Sequence, residues 1–220
     1  LSNVSEVAMS IKDSLYEALK ALRPKVAKDA VAQERFSTEA NQFMRVVLHN
    51  PASTRTRTGQ LVDMFSTVFT SGLSWAPTAR HVSLLTGEDG TLQLYVHYQG
   101  QIRLAGTKGV IERVTADLLY ESDDFTFFGA DKVPELRRKL LKGGLGEAIG
   151  GYTVSHLKTG GVHVELFDAE SLQKAENAGM SFGSGDFWTG PHRREMQRKS
   201  LINATASRWL ELSYTLPCLN

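Results

Sequence analysis

The sequence predicts an α+β fold: a helical N-terminal lobe, then antiparallel β-hairpins with interspersed helices, then a long basic C-terminal helix. Three observations carry this. Apolar residues recur with helical period through most of the first 71 positions. After Pro77, short apolar runs come in pairs around Gly- and Asp-bearing turns. The paired runs are joined by turns and not by helical crossovers, which favours α+β over α/β. The 220 residues, 41% hydrophobic and 22% charged, suit one domain able to bury its own core. A helical lobe over 1–78 and an α+β lobe over 79–220 divide it.

The elements follow in order. Residues 4–22 place Val4, Val7, Ile11, Leu15, Leu19 and Leu22 on one helical stripe, and Pro24 is expected to end that helix. Residues 38–49 predict a second helix with Phe43, Val46 and Val47 inward, and 59–71 a third. "HVSLLTGEDGTLQLYVHY" predicts a hairpin turning at Gly87-Glu88-Asp89-Gly90. "QGQIRLAGTKG" predicts a short helix stopped at Gly109. "VIERVTADLLYE" and "DFTFF" are expected to pair across Ser122-Asp123. "GYTVSHLKTGGVHVELF" predicts a hairpin turning at Gly160-Gly161, which would set Lys158 opposite His163 and His156 opposite Glu165. "DAESLQKAENAG" predicts a helix with Asp168 as N-cap and Gly179 just past its end. A Gly-rich loop, "SFGSGDFWTG", leads into a last helix from about His192 to Leu212.

Several chemistries are excluded or unsupported. No G-x-x-x-x-G-K-[ST] loop is present for a nucleoside triphosphate; "KGGLGEAIGGY" reads instead as a chain turning into a strand. No E-x-K or D-x-K occurs, so the usual carboxylate–lysine arrangement of metal nucleases is missing. Glu121, Asp123 and Asp124 sit at an expected strand turn; a solvated turn is favoured, with a Mg²⁺ site as the alternative. The six histidines lack zinc spacing. No cofactor is expected, no Ser/His/Asp set stands out, and the chain does not read as an enzyme. One cysteine, Cys218, allows no internal disulfide framework, which points to a reducing compartment. No apolar run approaches the ~20 residues needed to span a bilayer.

Net charge is only +1, yet charge is segregated. Five Lys/Arg and one Glu fall between Trp188 and Arg208, and the same count between Lys132 and Lys142. Four acids and no base lie between Glu121 and Asp131. In "DFWTGPHRREMQRKSLI" the aromatic residues Phe187 and Trp188 precede Arg193, Arg194, Arg198 and Lys199. Arg194 and Arg198 are four apart, on one helix face. Such a face can neutralise phosphates, and an aromatic plane beside it can stack on a base. The bland alternative is a solvated face, with Glu195–Lys199 an ordinary helical pair and Trp188 a core anchor.

Four stretches, in this order, carry a resemblance: "QLVDMFSTVFTSGLS" at 60–74, "YVHYQGQIRLAGTKGVIERVTADLLYESDDFTF" at 95–127, "GYTVSHLKTGGVHVELFDAESL" at 151–172 and "FWTGPHRREMQRKSLI" at 187–202. Over roughly residues 40–212 the chain resembles the RecT/Red-beta family of phage single-strand annealing proteins. Two positions depart from the family's pattern: Asp186-Phe187-Trp188 stands where Gly-Pro-Trp is common, and Gln99 where a basic residue is common. The resemblance implies ATP-independent binding of single-stranded DNA and annealing of complementary strands in homologous recombination, the annealed duplex being the product. It implies a homo-oligomer, as a ring or helical filament, working beside a phage exonuclease and host single-strand-binding protein in the bacterial cytoplasm, with no membrane partner. A passive single-strand-binding protein is the alternative. The candidate DNA contacts are Tyr98, Gln99 and Arg103 in the second stretch, Lys158 in the hairpin, and Trp188, Arg193, Arg194, Arg198 and Lys199 at the last helix.

Overall fold

The structure, a computed structural model, describes residues 2–139, 144–181 and 188–215. Lys142, Phe187 and Cys218, and the side chains of Val4 and Val7, lie outside the described residues. The chain divides into two compact units, one ending at Leu104 and the other beginning at Ala105.

The first unit holds α1 (Ser2–Val26), α2 (Ala30–Leu48), a 3₁₀ turn (Pro51–Arg55), α3 (Thr58–Thr70), β1 (Val82–Thr86), β2 (Leu92–Val96) and the start of α4 (Tyr98–Thr107). α1 passes through Pro24 and ends two residues later; proline removes one i→i−4 hydrogen bond, and the helix continues less than a turn beyond it. α2 starts eight residues earlier than 38, because the Asp29 carboxylate accepts from Ala32 N at 2.8 Å and caps it there. From Leu15 onward the three helices pack their apolar side chains against one another. Leu15, Leu19, Phe36, Phe43, Leu61 and Phe65 form a core with Trp75, and the antiparallel β1–β2 hairpin joins it through Leu84 and Leu92. Phe36 meets Phe65 edge-on, with ring centroids 5.0 Å apart. Buried Glu39 is satisfied by Ser74 Oγ at 2.7 Å and Trp75 N at 2.6 Å.

The second unit is built on three antiparallel strands in the order β3 (Ile111–Tyr120), β6 (Ala148–Leu157), β7 (Val162–Asp168). A separate pair, β4 (Asp124–Thr126) and β5 (Glu135–Arg137), lies between them in sequence. The unit also holds the helices α5 (Ala169–Ser181) and α6 (Arg193–Thr215). The α+β class is as expected. Two strand pairings are not.

First, β3 pairs with β6 and not with β4. Asp123 folds back on Tyr120: its N–H donates to the Tyr120 carbonyl at 2.9 Å, and its Oδ2 accepts from Tyr120 N at 3.0 Å. That uses both backbone groups that would start a pairing with β4.

Second, the β6–β7 turn is centred on Thr159. Leu157 N donates to Gly161 O and Gly160 N to Leu157 O, with Gly160 at φ +95°. This is a three-residue loop whose last position needs glycine. Lys158 therefore sits in the turn instead of facing His163, His156 pairs with Val162, and Glu165 pairs with Thr153.

α6 lies on the sheet by a seam at i, i+4, i+8. Leu201 packs over Gly151, where a Cβ would collide with its Cδ1. Thr205 Oγ1 meets Thr153 Oγ1 at 2.7 Å. Trp209 Nε1 donates to Ser155 Oγ at 2.9 Å. Gly151, Thr153 and Ser155 alternate along β6, so all three point to one face. Small residues let the helix approach, and the buried hydroxyls are satisfied across the seam. Asp168 caps α5 as expected, accepting from Ser171 N at 2.8 Å. α5 continues through Gly179 to Ser181, so that glycine does not stop it.

Candidate nucleic-acid interface

Leu201, Thr205 and Trp209 are buried in the seam. Nearer the start of α6, Arg194 is exposed and Arg198 and Lys199 are half-buried, and each has different company.

Arg193, at the first turn, is held on two sides. Its Nε donates to Glu176 of α5 at 3.0 Å, and its Nη1 pairs with Glu147. Glu176 is buried. The hydrogen bond it donates to Glu176 is the main reason Arg193 holds its proton more tightly than an ordinary arginine. Its charge is spent within the fold. Arg194 is exposed; its guanidinium lies 5.4 Å from the centroid of the Tyr120 ring and donates to Gly146 O at 3.3 Å. Arg198 is 38% exposed and contacts Asp117 Oδ1 at 3.3 Å and Glu195 at 3.6 Å. Lys199 is half-buried and has no hydrogen-bond or ion-pair partner among the described residues. A cleft of about 310 Å³ opens at the start of α6, lined by Gly146, Glu147, Gly190, Arg193, Arg194 and Gln197.

Arg138 belongs beside these residues, and the sequence did not single it out as a contact. It follows β5 and reaches β3. Its Nε and Nη2 take Asp123 at 3.0 and 2.9 Å, its Nη2 also donates to Leu118 O at 2.6 Å, and its Nη1 reaches Asp117 at 3.4 Å. The guanidinium also lies over the Tyr120 ring, at 5.0 Å. The Asp123 side chain is only 1% exposed. The Arg138 hydrogen bond holds the Asp123 carboxyl below its ordinary range, helped by Tyr120 N–H and opposed by burial. The signal for Arg138 lay in the basic run that follows the acidic run: the β4–β5 register sets Asp124 beside Arg137, and Arg138 then closes on Asp123. Part of the segregated charge, Arg138 with Asp123, is therefore neutralised within one chain.

Trp188 is 3% exposed. Its ring packs across α5 at Gly179, where a Cβ would overlap Nε1. In this conformation it is a core anchor, with no open ring face for a base. Lys158 is exposed in the β6–β7 turn and donates to Gly106 O at 2.8 Å. Tyr98, Gln99 and Arg103 lie on α4 in the first unit; the first two are half-buried and Arg103 is exposed. Arg103 bears on His81, whose imidazole is held below its usual pKa by burial first and by that charge second. No group of three or more His, Cys, Asp or Glu side chains is placed to hold a metal ion among the described residues. No described helix is long and apolar enough to cross a membrane.

Fold and surface together define a class: an α+β protein that carries guanidinium groups on a helix laid across a small antiparallel sheet. Residues 59–216 match the model of the RecT family, and the chain belongs to that family. It is similar to Protein RecT of Escherichia coli (strain K12), at 29% identity over 112 residues. The aligned stretch covers 50% of this chain and 40% of that protein.

Proposed function

We propose that this chain binds single-stranded DNA and promotes the annealing of complementary strands in homologous recombination. The observation that supports this most is that the RecT family match runs through α6, the helix that carries Arg194, Arg198 and Lys199. These cations would neutralise phosphates and release counterions. Base pairing itself supplies sequence specificity, so the protein needs to hold only the backbone of each strand. Annealing is downhill and needs no nucleotide hydrolysis, in keeping with a sequence that has no triphosphate-binding loop. On this reading the chain is a binding protein that requires no cofactor. Arg103 and Lys158 extend the contact set, with Tyr98 and Gln99 beside Arg103. The chain acts as a homo-oligomer, a ring or helical filament that holds both strands, beside an exonuclease that exposes them and a host single-strand-binding protein.

Mixing two labelled complementary oligonucleotides tests this. Faster duplex formation, without ATP, is expected when the protein is added. Slower duplex formation with intact binding would make it a passive single-strand binder. Absence of binding to either strand would overturn the reading.

A further inference from the structure

We propose that Asp117 is an internal stand-in for a DNA phosphate: it holds Arg198 in the free protein and gives it up when a strand arrives. The inference rests on the reading of α6 as a single-strand-binding face. Asp117 Oδ1 receives Arg198 Nη2 at 3.3 Å and Arg138 Nη1 at 3.4 Å, and also Leu118 N at 2.9 Å. Arg138 does not depend on this carboxylate, since Asp123 takes its Nε and Nη2 at 3.0 and 2.9 Å. Arg198 has no such second anchor: its other acidic contact, Glu195, is 72% exposed and 3.6 Å away.

The Arg198–Asp117 pair has the features of an exchangeable contact. Its distance exceeds the ~2.7–2.9 Å of a tight charge-assisted hydrogen bond. Asp117 is 30% exposed and Arg198 38%, so water and ions reach both. Pairs of this kind are weak and screened by salt. Carboxylate and phosphate both offer oxygens that suit a guanidinium fork, so a phosphate can replace Asp117 without Arg198 moving far. Arg193 is the contrast. It is bound on two sides, by a buried and an exposed glutamate, and the structure assigns it no exchange. Asp117 then has two effects. It occupies the Arg198 guanidinium that a phosphate must take, and its negative charge opposes the incoming phosphate. Both lower the affinity for a single strand and ease its release, which a protein that passes strands into a duplex requires.

The test is Asp117→Asn, measured against oligo-dT across a salt series. Asn keeps an Oδ1 acceptor for Leu118 N and removes the charge. Binding should tighten by up to about fivefold, the scale of one exposed ion pair. The slope of log affinity against log salt should steepen by about 0.7, because the Asp117 released in the wild type takes up a cation that offsets the one freed at the phosphate, and Asn takes up none. Glu195→Gln removes a neighbouring charge from the same arginine and should do distinctly less. In Asp117→Asn combined with Arg198→Ala the gain should vanish. Equal gains from Asp117→Asn and Glu195→Gln, or a gain that survives loss of Arg198, would overturn the proposal while leaving DNA binding by α6 intact. Failure of the wild-type protein to bind oligo-dT would instead remove the functional reading, and this inference with it. Arginine-labelled wild-type protein supplies a measurement without mutation. On titration with oligo-dT the Arg198 side-chain resonance should shift and that of Arg193 should not; the reverse pattern would sink the idea.

Discussion

At Trp188 the indole closes over a notch that only glycine can leave in α5, and its ring is 3% exposed. Trp188→Ala is therefore expected to destabilise the protein by about 3–5 kcal/mol, as large-to-small core changes do; urea unfolding measures this. Gly179→Ala should be destabilising as well, because its Cβ has no room beside the ring. A Trp188→Ala protein as stable as wild type that lost DNA binding would return the ring to a contact role. Arg138 invites a second prediction. It sits between Asp117 and Asp123, with Asp123 nearly inaccessible. Arg138→Glu puts three carboxylates together and leaves Asp123 unpaired, a change on the order of 3–5 kcal/mol for breaking a buried pair. Loss of near-ultraviolet circular dichroism is expected, whether or not DNA is present. A folded Arg138→Glu protein would mean that this network contributes little.

At the scale of elements, α6 divides its labour along its length. The seam of Leu201, Thr205 and Trp209 seats it on β6, while Arg194 and Arg198, on the same stripe nearer the helix start, reach Tyr120 and Asp117 of β3, and Lys199 lies off that stripe. Arg194→Ala combined with Lys199→Ala should leave the seam and the melting temperature unchanged. It should lower the salt slope of oligo-dT binding by about 0.7 for each phosphate no longer neutralised; an unchanged slope would place the DNA elsewhere. The segment from α3 to β1 carries a pH dependence. His81 Nδ1 accepts from Ser74 N at 3.1 Å, which the protonated ring cannot do. Burial, and then Arg103, lowers its proton affinity in the folded state. The unfolded chain thus binds this proton more readily, so stability is fully present above about pH 6.5 and falls as pH drops below it. His81→Gln should flatten that loss, seen as a urea midpoint changing less between about pH 7.5 and 5.5 than in wild type. Equal losses in both proteins would assign the effect to other groups.

For the molecule as a whole, the structure changes the reason to expect assembly. Segregated acidic and basic runs suggest charge contacts between copies. Instead Asp124 lies beside Arg137, Arg137 pairs with Glu135, and Arg138 closes on Asp123. Among the described residues, the three N-terminal helices likewise bury apolar side chains within one unit, Leu15, Leu19, Phe36, Phe43, Leu61 and Phe65 among them. Large apolar side chains left exposed include Phe127, Phe128 and Val133, in the segment joining β4 to β5. An assembly held by apolar contact is insensitive to salt, whereas one held by exposed ion pairs is screened. Light scattering should therefore find species well above 24.3 kDa that persist near ~0.5 M salt and grow with single-stranded DNA. Dissociation by salt alone would return the cohesion to charge, and a monomer under all conditions would remove the filament reading.

Periodicity and turn chemistry by themselves determined the α+β class, the first hairpin, the third and fourth helices, the Asp168 cap and the cationic α6. Each is a local property, set by side chains within a turn or two of one another. The partner of β3 was not legible, because Val114 meets Ser155 only after the chain returns from a distant segment. The turn of the β6–β7 hairpin depended on which of two adjacent glycines takes the left-handed conformation, and spacing is silent on that. The candidate site divides in the same way. That α6 is basic is plain in the sequence. Which of its arginines are available depends on Glu176, 17 positions away, and on Asp117, 81 positions away. A guanidinium's availability is an electrostatic property of its neighbours in space, and only the tertiary structure chooses those neighbours.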